Sequence, residues 1–330
     1  MKSTSKKLLA LLVMAGFAIG AVNAATAATP EKKPVASKKT AAKPVPRVVK
    51  KAQKAKKVAA APAKPRHPAA VEQDDGVMPK LSSSAVVVID QASGEILYEK
   101  NANAVVPIAS ITKLMTAMVA LDAAPDLAEI LTIGKDDIDL LKGTHSRLAV
   151  GTQLTREEML RLALMSSENR ASSALSRYYP GGRAAFVAAM NHKARALGLT
   201  DTRFADPTGL TAANVASAHD LVKMVDAAHQ YPLIREFSTT GERQVAVKGR
   251  PQTFRNSNAL VKSDAWHIGL SKTGYISEAG KCLVMQTWVN NKPTIIVLLD
   301  SWGNLTRVGD ANRIKRWVES LASAPGSFRG

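Results

Sequence analysis

The stretch that most limits what this chain can become is Val105-Val106-Pro107-Ile108-Ala109-Ser110-Ile111-Thr112-Lys113-Leu114-Met115-Thr116-Ala117-Met118-Val119-Ala120-Leu121. Pro107 suits the start of a helix, and Ile111, Leu114, Met115, Met118 and Val119 then recur at helical spacing. The other positions carry Ala, Ser, Thr and one lysine, so the pattern predicts a core helix enclosed on every side. Lys113 is out of keeping with that, because an ammonium group is costly to bury without partners. Ser110 lies three residues earlier, one turn up, within reach of the amine. Burial lowers a lysine pKa and makes the amine a proton acceptor for that serine. The plain alternative is a serine at a helix start and a lysine whose charged end snorkels out to water. The helix alone leaves both open.

The rest of the chain is not uniform. Lys2, Lys6 and Lys7 precede an apolar run from Leu8 to Val22, and Val22-Asn23-Ala24 is a small-residue cleavage site. The run is short for a membrane span, so residues 1–24 are expected to be a secretory signal. Residues 25–76 are mostly Ala, Lys, Pro and Val, a composition that cannot offset its ordering entropy by burial, and a solvated linker is expected there. Between residues 28 and 76, thirteen Lys or Arg face four acids, about half of the net charge of +18. The basicity therefore belongs mainly to a tail. It marks a spacer held open by self-repulsion or an electrostatic contact with anionic cell-surface polymers, and no specific nucleic-acid partner is expected. One cysteine, Cys282, excludes an intramolecular disulfide and reads as a small buried residue. The folded domain is expected over residues 77–330, long enough for a substantial core.

Within it, Ser84 to Asp90 reads as a buried strand, Gln91 to Gly94 as a turn and Ile96 to Glu99 as a second strand. The lysine-bearing helix follows. Thr155-Arg156-Glu157-Glu158 matches a capping box that opens a helix through Met165. Ala171–Tyr178, Gly182–Leu197 and Ser217–His229 read as three more helices. Strand character returns at Arg243–Val247, Gln252–Arg255 and His267–Leu270. A hairpin is expected from Cys282–Val289 and Thr294–Leu299 through Asn290-Asn291-Lys292-Pro293, and then a helix from Thr306 to Leu321. Strands at both ends with helices between predict an α+β fold, an antiparallel sheet flanked by helices with a mostly helical second lobe.

Two further stretches bear chemistry. Ser166-Ser167-Glu168-Asn169 interrupts two helical patterns with consecutive polar residues. Such residues cap helices, but facing a cleft Ser167 can relay a proton and Asn169 can hold a lysine or a substrate carbonyl. Ser271-Lys272-Thr273-Gly274-Tyr275 follows an apolar strand segment. There Lys272 and Gly274 share one face; a lysine and a hydroxyl at a cleft attract a carboxylate, and a glycine admits close backbone approach.

S-x-x-K on a buried helix, S-x-N among the middle helices and K-T-G on a late strand, in that order, resemble the signature set of penicillin-binding proteins and class A β-lactamases. Over about residues 80 to 321 the chain resembles the low-molecular-mass penicillin-binding proteins of the D-alanyl-D-alanine peptidase family. Pro107 to Thr116, Asp206-Pro207-Thr208-Gly209-Leu210 and Gly269 to Gly274 carry the likeness. Gly143-Thr144-His145-Ser146-Arg147-Leu148, Ser167 to Ala171 and Glu278 to Met285 are similar to the D-alanyl-D-alanine endopeptidase branch. The 56 residues after Gly274 are too few for an extra β-rich domain, and none is expected.

The resemblance implies a periplasmic enzyme acting on peptidoglycan peptides and inhibited by β-lactam antibiotics, without cofactor or metal. It implies that Ser110 attacks a D-alanyl carbonyl with Lys113 as base, that Ser167 passes the proton to the leaving amine, and that Asn169 positions Lys113 and the peptide. Lys272 and Thr273 would hold the substrate's anionic end, and the backbone N–H groups of Ser110 and Tyr275 would form the oxyanion hole. Glu168 stands where many relatives carry Asp or Gly. Four rivals are weighed against the endopeptidase. A D-alanyl-D-alanine carboxypeptidase would use the same residues. A class A β-lactamase would need a second-lobe glutamate, for which Glu157 and Glu158 lie too near a helix start. A zinc peptidase would need clustered ligands, whereas His145, His192, His219, His229 and His267 are scattered. A non-enzymatic wall-binding protein would work through the lysine-rich tail.

Overall fold

The computed structural model describes residues 79–303 and 305–323. The expected signal segment 1–24 and linker 25–76 lie outside them. The backbone enters with β1 (Ser83–Asp90) and β2 (Ile96–Lys100), passes the short β3 (Val106–Pro107) and reaches α1 (Lys113–Asp122). A middle region follows, with β4 (Ile130–Thr132), β5 (Gln153–Thr155), α2 (Arg156–Met165), α3 (Asn169–Arg177) and α4 (Gly182–Ala196). Next come β6 (Val215–Ala216), α5 (Ala218–His229), α6 (Pro232–Thr239) and the ribbon β7 (Glu242–Val247) and β8 (Arg250–Arg255). The chain returns through β9 (His267–Ile276), β10 (Gly280–Val289), β11 (Lys292–Ser301) and α7 (Thr306–Ser323). No helix among the described residues is long and apolar enough to cross a membrane.

Five antiparallel strands in the order β2-β1-β11-β10-β9 form the sheet. The unbroken apolar run of β1 is what a strand covered on both faces requires. Ala85 and Val87 join the core on the side of the helical lobe, together with Cys282, Val284, Ile295 and Val297. Val86 and Val88 join a second core with Leu283, Met285, Ile296, Leu298 and the α7 residues Ala311 and Ile314. The buried Asp310 of α7 fastens that helix to the start of β1, accepting bonds from the Ser82 and Ser83 amides and, at 2.6 Å, from the Ser83 hydroxyl. The expected α+β architecture is present, and Cys282 is buried as expected.

Three differences from the expected elements have physical causes. The hairpin turn is two residues, not four: Asn290 and Asn291 take φ of 51° and 62°, the left-handed pair of a tight turn, and Pro293 already pairs with Trp288. A helix absent from the sequence reading, α6, begins directly after α5; Pro232 sits at its first turn, where a missing N–H costs nothing, instead of merely ending the helix before it. The third concerns the opening stretch. Pro107 starts no helix but pairs with Val215 across β3 and β6. Ala109 then adopts φ of 47°, Ala109–Thr112 form a 3-10 turn, and the α-helix begins only at Lys113.

Candidate active site

That tight turn is built by its neighbours. Gly209 has φ of 81°, and a methyl group on it would stand 1.9 Å from the Ala109 carbonyl oxygen. On the other side a methyl on Gly274 would stand 2.9 Å from the Ile108 oxygen and 3.0 Å from the Ser110 nitrogen. The loop after α4 and strand β9 therefore clamp the serine turn backbone to backbone, which only glycine permits at these two places. The loop itself is wound on Asp206, whose carboxylate accepts from the Thr208, Gly209 and Thr211 amides and from the Thr208 hydroxyl. Thr116 of α1 donates to the Pro207 carbonyl at 2.6 Å. The outcome is that the Thr208 carbonyl points at the start of α1.

Lys113 is fully buried and does not snorkel. Its Nζ lies 2.8 Å from Ser110 Oγ, 2.8 Å from Asn169 Oδ1 and 2.7 Å from the Thr208 carbonyl oxygen. Burial brings its pKa down to about 7, against the opposing charges of Asp206 and Glu168. An uncharged amine has two N–H bonds and one lone pair. The two oxygens of Thr208 and Asn169 can only accept, so they take both N–H bonds and leave the lone pair for the serine hydroxyl. In its uncharged form the amine is thereby oriented as a base toward Ser110, whereas in the ammonium form a third N–H goes to Ser110 Oγ.

Ser167 occupies the break between α2 and α3 with φ of 62°, a backbone state that an L-residue adopts at a cost of about 1–3 kcal/mol. This turn presents its hydroxyl to Lys272, whose Nζ donates to Ser167 Oγ at 2.9 Å and to the Thr273 carbonyl at 2.8 Å. Lys272 is as buried as Lys113, and burial, then Lys113 and Arg307, hold its pKa well below the usual lysine range. Thr273 donates to the Ser257 hydroxyl at 2.7 Å. Tyr275 is 63% exposed at the rim. Glu168 turns away from Ser110 and accepts from Ser146 at 2.6 Å, while Asn169 Nδ2 donates to the Thr144 hydroxyl at 3.0 Å.

All three sequence stretches therefore meet. Ser110, Lys113 and Asn169 are in direct contact, Ser167 and Lys272 are in contact beside them, and Gly274 abuts the serine turn; Thr273 and Tyr275 continue along the same strand. The sequence motifs point to no part for the Thr208 carbonyl, for Ser257 or for Thr144, all of which the fold brings to the site. A backbone oxygen leaves no side-chain signal, and only the glycine after Thr208 hints at a close approach. Glu157 and Glu158 sit in the first turn of α2, paired with Arg161 and Arg243. A cavity of about 500 Å³ lined by Glu99, Asn101, Asn103 and Asp300, among others, contains none of the site side chains.

Comparison with known proteins gives this geometry a family. A family model described as D-alanyl-D-alanine carboxypeptidase matches residues 70–303. The chain belongs to the D-alanyl-D-alanine carboxypeptidase family. It is a serine peptidase of that family, with the fold of the penicillin-binding proteins. Among other members, it is similar to the D-alanyl-D-alanine endopeptidase of Pseudomonas aeruginosa, 49% identical over 243 residues that cover 73% of this chain and 78% of that one. The D-alanyl-D-alanine endopeptidase of Escherichia coli is 46% identical over 244 residues, covering 73% and 79%. Among solved structures, the Streptomyces K15 DD-transpeptidase superposes with a TM-score of 0.68 at 28% identity, covering 74% of this chain and 99% of that chain.

Proposed function

We propose that the protein is a D-alanyl-D-alanine endopeptidase that hydrolyses peptide cross-links of peptidoglycan through an acyl-enzyme on Ser110. The observation that carries this is the Lys113 amine, about half uncharged at neutral pH and left with a lone pair for Ser110. The serine oxygen attacks the D-alanyl carbonyl as its proton passes to Lys113 Nζ. The Ser110 and Tyr275 N–H groups receive the developing oxyanion; the approach of Gly274 to the Ser110 nitrogen supports that pairing. Ser167 delivers a proton to the departing amine, with Lys272 behind it, and water then releases the acyl group. Lys272 and Thr273 bind the substrate's anionic end or the carboxylate of a β-lactam.

The two relatives at 46–49% identity carry the endopeptidase name, which favours cross-links over free pentapeptide tails. Carboxypeptidase activity is the second reading, favoured by the family description. Residues 1–24 would export the chain to the periplasm, and 25–76 would be a tether that touches anionic wall polymers, leaving 77–330 as the catalytic domain. The test is incubation of the purified protein with cross-linked muropeptide dimers and, separately, with a free pentapeptide. Dimers should be cut to monomers. Release of terminal D-Ala with the dimers intact would overturn the assignment.

A further inference from the structure

The loop from Asp139 to Leu148, between the short strands β4 and β5, lies beside the site, and one of its hydroxyls ends a chain of bonds that begins at the nucleophile. Ser110 Oγ is next to Lys113 Nζ, Lys113 Nζ donates to Asn169 Oδ1, and Asn169 Nδ2 donates to Thr144 Oγ1. Thr144 Oγ1 in turn donates to Asp139 Oδ2 at 2.7 Å. The same carboxylate accepts from the Leu141, Lys142 and Thr144 amides, so the hydroxyl is seated on a wound loop, not a wandering side chain. The loop is also moored at two further points, by Ser146 on Glu168 and by Lys142 on Glu278 at 2.5 Å.

The protons along this chain can be shared out in only one way. A hydroxyl has one proton. Asp139 can only accept, so that proton is committed to it, and Thr144 can meet Asn169 only as an acceptor. Asn169 must therefore turn its amide nitrogen to Thr144 and its oxygen to Lys113. Turned over, the amide would offer an N–H to Lys113 and compete with Ser110 for the lone pair. We infer that Asp139 and Thr144 are positioning residues of the reaction, fixing which end of Asn169 faces Lys113 and so keeping the amine's lone pair on the nucleophile. Neither has to touch substrate.

This rests on the proposed roles of Ser110 and Lys113, and the experiment separates the two. Acylation of the full chain by a fluorescent penicillin is timed across pH for the parent protein, Thr144→Val and Thr144→Ser. Thr144 is exposed, so neither change removes core packing. Thr144→Val is expected to acylate roughly 10-fold more slowly at the plateau, the scale set by a misplaced catalytic group, with its acid limb moved to lower pH because a reversed amide disfavours the ammonium form. Thr144→Ser should recover most of the rate. Parent-like kinetics for Thr144→Val, or a Thr144→Ser as slow as Thr144→Val, would overturn the inference while leaving Ser110 and Lys113 in place. A parent protein that is not labelled at Ser110 would instead remove the reading of the site itself, and the inference with it.

Discussion

Two lysines of the same burial face each other across this site and are set up for opposite work. Lys113 leaves the first turn of a helix into a cage of acceptors, where burial lowers its pKa to about 7 against the opposing pull of the Asp206 and Glu168 carboxylates. Lys272 leaves an edge strand into a poorer setting: one carbonyl, one hydroxyl, and the positive charges of Lys113 and Arg307. The first has its hydrogen-bonding needs met from within the protein and is left with a lone pair. The second has no counter-charge among the described residues, and an arriving carboxylate would supply one. The same side chain becomes a base or an anion receptor according to how many acceptors the backbone brings to it.

The comparison can be broken most sharply at Lys113. Replacement by Met should slow penicillin acylation by about 10²–10⁴-fold, the usual reach of a positioned base. In the parent protein the rate should climb with pH up to about 7 and level off above it, because the reactive form is the unprotonated amine. A rate indifferent to pH between 5 and 8 would exclude Lys113 as that base. Lys272→Met should be felt less, roughly 50-fold for a peptide with a free carboxylate and only several-fold for its methyl ester, which loses just the support Lys272 gives Ser167. Equal losses on both substrates would show that Lys272 acts on the reaction and not on the anion. The smallest direct effect on the chemistry is expected of Gly209→Ala, which acts through the fold. The new methyl has no room beside the Ala109 carbonyl, so unfolding should come easier by at least the ~1–3 kcal/mol of backbone strain, with slower acylation as the Thr208 carbonyl shifts. Chemical denaturation of the two proteins side by side measures it.

Much of this was legible in the residues themselves. The two-sided run of β1, the caps of α2 and α5, and the three polar motifs each announce themselves through side chains, and Thr155 and Ser217 do accept from the Glu158 and Asp220 amides. What escaped the sequence is what the backbone does. Nothing in Pro107-Ile108-Ala109 reveals a left-handed alanine, because the strain is imposed by glycines about 100 and 165 positions further on. The third partner of Lys113 is a carbonyl, which every residue has. Thr144 reads as an ordinary loop threonine until folding places it against Asn169, and α6 hides behind a proline that looks like a stop.

The bond from Ser83 to Asp310 joins residues 227 positions apart, and β1 finds its partner β11 over a comparable span. Pairing so remote in sequence makes loop closure costly and assembly slow. The amino-terminal hairpin must wait, half its hydrogen bonds unmade, until nearly the whole domain has left the ribosome. For that interval the inner edge of β1 stays open, the kind of unpaired strand edge to which another copy can add itself before the rightful partner arrives.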